Sequence, residues 1–211
     1  MDNCFQAVQK AGMLKLLFAT VAFILTFVAF YPYYRAIGAQ QIRPHVFTWF
    51  IWGAGTLIVF FAQLSDGAGL GAWPVGISAF LTAGVAVWAL ANSADASIVR
   101  SDWVFFGLAL SALPLWFFTS TALSAVVILT LVDMLGFGPT VRKAYFAPHQ
   151  ESAQFFAISF VRNILIILAL ENLSWTTALF PAAVGLASGL FLILIMMRRQ
   201  TLKPLEDSAA P

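Results

Sequence analysis

Five stretches without a single charged side chain, 16–34, 46–65, 67–94, 103–132 and 172–197, decide what this chain can fold into. Each is about as long as, or longer than, the ~20 residues that a helix needs to cross the hydrocarbon core of a bilayer. A water-soluble domain carries about 25% charged residues to cover its surface. This chain has 9% charged and 61% hydrophobic residues, too little polar surface for water. The alternating ten-residue strands of a membrane barrel are absent. The expected class is an all-α integral membrane protein.

The fourth stretch is too long for one span. It runs from Trp103 past a single charge, Asp133, to Val141, and as one helix would measure about 58 Å at 1.5 Å per residue, nearly twice the ~30 Å core. A fold-back at Thr119-Ser120-Thr121 resolves this and predicts seven transmembrane helices, roughly 14–36, 46–65, 72–93, 102–118, 121–144, 152–170 and 175–198.

These spans fall into two copies. The pattern Phe30, Pro32, Arg35 followed by Pro44, His45, Thr48 returns as Phe137, Pro139, Arg142 followed by Pro148, His149, Ser152. Pro74 stands 42 residues after Pro32, as Pro181 does after Pro139. The chain therefore reads as a tandem repeat: an N-terminal lead (1–13), a first three-helix repeat (14–93), a connector helix (102–118), a second three-helix repeat (121–198) and a tail (199–211). One connector helix makes both repeats enter the membrane in the same direction, so they are parallel and related by an axis along the membrane normal. Lys and Arg are distributed eight to two between the two sets of extramembrane segments. The positive-inside rule then places the N-terminus outside and the C-terminus in the cytoplasm. No signal peptide is read at the N-terminus, and Cys4, the one cysteine, excludes an intramolecular disulfide.

Candidate functional residues follow from what is costly or unusual in lipid. Asp133 and Arg162 are deep charges, each ten residues from a cytoplasmic helix end and so about 15 Å into the membrane. Each costs at least ~2.5–3.5 kcal/mol there unless it is paired or wet. On spans expected to be adjacent, they are predicted to form a switchable pair, with Asn163 a hydrogen-bonding neighbour. The repeat-equivalent of Asp133 is Thr26. Ser78 and Thr82 in span 3 and Ser188 in span 7 complete an expected uncharged lining of a solute site. Pro32 and Pro139, lacking a backbone N–H near the cytoplasmic ends of spans 1 and 5, are expected to act as hinges. Trp49 and Trp52 read as belt residues or as walls of a cavity at the inner mouth. Thr48 and Ser152 are placed to cap spans 2 and 6.

The 3+1+3 plan, with a proline near the cytoplasmic end of spans 1 and 5 and a Ser/Thr opening the next helix, resembles the PQ-loop and SWEET superfamily over essentially the whole chain. Pro32-Tyr33 and Pro139-Thr140 stand where that family has Pro-Gln. The resemblance implies a transporter of a small polar solute working by alternating access, as a facilitator or a proton-coupled carrier, in a bacterial-type inner membrane. Sugar-transporting members carry asparagines midway along spans 3 and 7, which this chain lacks, and that points away from a sugar. Vitamin-precursor carriers of the PnuC type share the plan and are an alternative. A receptor or scaffold on the same fold, binding without transport, is another.

Partners expected on this reading are the solute, the lipid bilayer, a proton if uptake is coupled, and further copies of the chain in a homo-oligomer; no nucleic acid is expected. A rhodopsin is excluded because span 7 has no lysine for a retinal Schiff base. An intramembrane enzyme would need a nucleophile–base or metal constellation. Both histidines fall in loops, so neither an enzyme nor a cofactor or metal is expected.

Overall fold

The computed structural model describes residues 2–40, 46–92, 100–146, 148 and 152–201. Seven α-helices occupy them: α1 (Asp2–Gly38), α2 (Val46–Ser65), α3 (Trp73–Ala91), α4 (Arg100–Thr119), α5 (Ala122–Phe146), α6 (Ala153–Ala169) and α7 (Trp175–Thr201), with a 3-10 turn at Gly69–Ala72 leading into α3. Three stretches are long and apolar enough to cross a membrane, Gln9–Gly38, Gly69–Ala91 and Trp175–Thr201, and four shorter apolar helices accompany them. Large apolar side chains point outward along these helices, among them Ile24, Phe80, Leu131 and Leu190, each more than half exposed. Water would not tolerate such a surface, and lipid requires it. The molecule is a membrane-embedded helical protein.

The expected fold-back falls where α4 ends and α5 begins, with Ser120 in the left-handed region at φ 54°. Ser152 caps α6 as its position implied, its Oγ accepting from Phe155 N at 3.2 Å; Thr48, expected to cap α2, instead lies within it, because that helix already begins at Val46, and its side chain is outside the described residues. One helix boundary differs from the expected spans: α1 begins at Asp2 rather than near residue 14, so the lead expected at 1–13 runs helically into the first span from Asp2 on, since neither a proline nor a turn motif interrupts it there. The repeat-equivalent prolines also differ in setting: Pro74 lies in the first turn of α3, whereas Pro181 lies inside α7.

That second difference has a physical compensation. Pro181 cannot donate to the carbonyl four residues earlier, which is Thr177 O. Gln63 of α2, fully buried, donates from Nε2 to that oxygen at 2.7 Å. Gln63→Met is expected to lower the melting temperature in detergent by an amount corresponding to ~1–3 kcal/mol, the cost of a buried unpaired carbonyl. Adding Pro181→Ala, which restores the intrahelical donor, should recover most of that loss. If Gln63→Met melts like the wild type, the compensation is wrong.

The order of packing matters more for function than the order of the chain. Helix α3 packs against both α1 and α2, and α7 packs against both α5 and α6. The two trios meet through α1 on α6 and α2 on α5, while α4 lies against α5 and α2. Close contacts set the seams within the first trio. A Cβ at Gly53 would fall 2.9 Å from the backbone of Ala83, and the Tyr34 hydroxyl occupies the space beside Gly84 while donating to Leu81 O at 2.7 Å. A single buried cluster then runs through the centre, from Ala22 of α1 and Val59 of α2 to Leu129 of α5, Ile166 of α6 and Phe180 of α7.

One end of the bundle is tied across the two trios. The α2–α3 turn and the α6–α7 turn meet there: Glu171 N donates to Ala68 O at 3.1 Å, and Asn172 Nδ2 donates to Asp66 O at 2.7 Å. The Ser174 hydroxyl donates to the Asp66 carboxylate in a short contact, and Leu70 N donates to Glu171 Oε1 at 3.3 Å. Lys15 Nζ reaches Glu171 O at 3.4 Å. At the opposite end, Arg198 stacks over the Tyr145 ring at 4.0 Å and donates from Nε to Tyr145 O at 2.9 Å.

Candidate functional site

The deep polar residues divide into two groups, and the division corrects the expected ion pair. Asp133 and Arg162 are not joined, because α7 stands between α5 and α6, which are sequence neighbours but not packing neighbours. The assumption that consecutive helices are adjacent is usually sound. Here α7 occupies the middle place in its trio, as α3 does in the other.

The first group surrounds Asp133. Its half-buried carboxylate lines a small, partly open recess, with room for about one water, together with Trp52, Gly55 and Thr56 of α2, Ala109 of α4 and Phe180 of α7. Trp52, named from the sequence as a cavity wall, fits against Gly136 of α5, where a Cβ would come within 2.5 Å of its ring. Trp49 continues the aromatic array toward the helix ends, 5.7 Å from Trp52 and 4.8 Å from Tyr33 between ring centroids. Thr56 escaped the sequence reading; a hydroxyl one turn from Trp52 on an apolar helix was the available signal.

The second group lies on the interior of α6. Arg162 is 6% exposed, Asn163 is 1% and Ser188 of α7 is 1%. Asn163 packs against Gly185, where a Cβ would stand 3.0 Å from its own Cβ, and its Nδ2 donates to Ser159 O at 2.8 Å. Nε of Arg162, Oδ1 of Asn163 and Oγ of Ser188 are all buried without a hydrogen-bond partner. Buried polar groups are normally satisfied, so three unsatisfied atoms on two helices packed together, two on α6 and one on α7, are exceptional.

Thr26 of α1 is fully buried and donates to Ala22 O at 2.9 Å. Ser78 and Thr82 are buried on one face of α3, and nothing places them with either group. Helix α1 runs unbroken through Pro32, and the backbone of α5 is helical at Pro139, whose side chain lies outside the described residues. His45 and His149 also lie outside them. Among the described residues no group of three or more His, Cys, Asp or Glu could hold a metal ion. Comparisons with protein-family models, with curated proteins and with solved structures found no match.

Proposed function

We propose that this protein is a seven-span transporter of a small polar solute, built as two parallel three-helix repeats joined by α4 and working by alternating access. One observation carries the reading. Exchanging α1, α2 and α3 for α5, α6 and α7 maps the seams α1·α3 and α2·α3 onto α5·α7 and α6·α7, and it maps α1·α6 onto α2·α5. This packing symmetry supports the repeat read from the sequence, and it is what carriers made of two like bundles that rock against each other around a midplane site would require. The resemblance to PQ-loop and SWEET proteins supports the same plan.

On this reading the end carrying Asp66 and Ser174 is external and the end carrying Arg35, Arg198 and Arg199 is cytoplasmic, in a bacterial-type inner membrane. The hydrogen bonds between the two external turns hold that side shut, so the state described is closed to the outside. Opening it requires those bonds to break while the bundles tilt about Pro32 and Pro139. The polar groups midway along α5 and α6 are then the places where solute binds.

Uptake of a panel of small polar metabolites into sealed proteoliposomes tests the proposal. At least one should accumulate above the level in protein-free vesicles, and saturably. Binding without any flux would make the protein a receptor on this fold instead.

A further inference from the structure

The group on α6 specifies the chemistry of a ligand. Arg162 sits midway along a 17-residue helix, so its guanidinium is at the level where a charge is most costly. Among the described residues it has no carboxylate partner, and its Nε–H is unspent. The neighbouring Asn163 uses its amide N–H, leaving Oδ1 as an acceptor that needs a donor. Ser188, on the helix that packs against Asn163 through Gly185, offers a hydroxyl able to do either.

Helix α1 closes the other side with small residues. Lys15 meets Glu171 beyond the C-terminal end of α6, and Phe30 meets Phe155 near its start, 6.3 Å between centroids, so the two helices are antiparallel. That register brings Ala22 level with Asn163, and Thr26 about one turn nearer the start of α6, level with Ser159. Both are fully buried, and Thr26, its hydrogen already given to Ala22 O, presents only acceptor capacity.

We propose that Arg162, Asn163 and Ser188, with Thr26 of α1 one turn further toward the start of α6, bind a small carboxylate bearing a hydroxyl or amino group beside the carboxylate. The planar guanidinium matches a carboxylate in two-point contact, and Ser188 donates to the same anion. The adjacent hydroxyl or amino group gives its hydrogen to Asn163 Oδ1 or Thr26 Oγ1. A bare anion would leave Asn163 unsatisfied, and a neutral solute would leave Arg162 so. This names the solute of the carrier proposed above and rests on that reading, but binding can be measured without transport.

The test is thermal stabilisation of the purified full chain in detergent by lactate, glycolate, alanine, acetate, lactamide and chloride. Lactate and glycolate, or alanine, should raise the melting temperature with saturation, acetate should bind ~10-fold more weakly for want of the donor, and lactamide should have no effect. Arg162→Gln should abolish the response. Asn163→Asp, which supplies a resident carboxylate beside Arg162, should raise the melting temperature of the ligand-free protein and eliminate the lactate response. The proposal is overturned if none of the substituted carboxylates stabilises the wild type, if chloride does so equally well, or if Arg162→Gln or Asn163→Asp responds like the wild type. Binding that follows this pattern without flux in proteoliposomes would keep the site and remove the carrier.

Discussion

A disulfide between cysteines placed by Asp66→Cys and Ser174→Cys is expected to arrest uptake completely, and reductant should restore it. The two side chains already touch across the seam between the external turns, so a bond there captures the structure as it stands. Around it, Asn172 and Glu171 hold the α2–α3 turn by two further hydrogen bonds, from Asn172 Nδ2 to Asp66 O and from Glu171 N to Ala68 O. Each such bond is worth only ~0.5–1.5 kcal/mol net, so the closure is reversible on the scale of a carrier's cycle. A covalent link is not. Cys4→Ser provides the background, because Cys4 is the one native thiol. Binding in detergent should survive the cross-link, because Arg162 lies well away from the turns. Uptake that continues unchanged with the disulfide formed would mean that this end does not open.

The largest effect on folding is expected at Gly71. Its place is fixed by backbone on the other trio: a Cβ there would stand 2.8 Å from both Cα and N of Leu170 and 2.9 Å from the carbonyl carbon of Ala169. No rotamer change relieves a clash with backbone. Gly71→Ala should therefore push the 3-10 turn away from the end of α6, at a cost of ~1–3 kcal/mol. Gly71→Leu should yield little monodisperse protein after extraction. Gly107→Leu is the control, since nothing lies within 4 Å of a Cβ at that position. Equal yields and melting temperatures for the two leucine variants would show that the trios do not depend on this contact.

The helices were legible in the sequence because length against bilayer thickness is a strong constraint. It placed the turn at Thr119-Ser120-Thr121, where nothing but excess length required one, and the cap at Ser152 followed from the repeated Ser/Thr position. Which helix lies in the middle of each trio was not legible. The helices read as apolar on most sides, so their periodicity does not say which face meets which neighbour. Asp133 and Arg162 were consequently matched by adjacency as well as depth, and the adjacency fails because α7 packs between their helices. Gln63 illustrates a second limit. A lone amide in an apolar run signals a polar partner, but that partner, a carbonyl freed by Pro181, sits 114 residues away. The site on α6 was visible as residue types; that Arg162, Asn163 and Ser188 are left unsatisfied together could be seen only once packing was known.

Entrance counterflow tests the central claim most directly. Sealed proteoliposomes are loaded with a high concentration of unlabelled solute, placed in a trace of the labelled form, and sampled over time. A carrier that exposes one site alternately to either side carries label inward faster than it returns, so internal label should overshoot its equilibrium level and then decay. The overshoot should vanish in Arg162→Gln and in the cross-linked pair at 66 and 174. A monotonic approach to equilibrium would contradict alternating access and indicate a channel, and an absence of labelled solute inside would leave only binding.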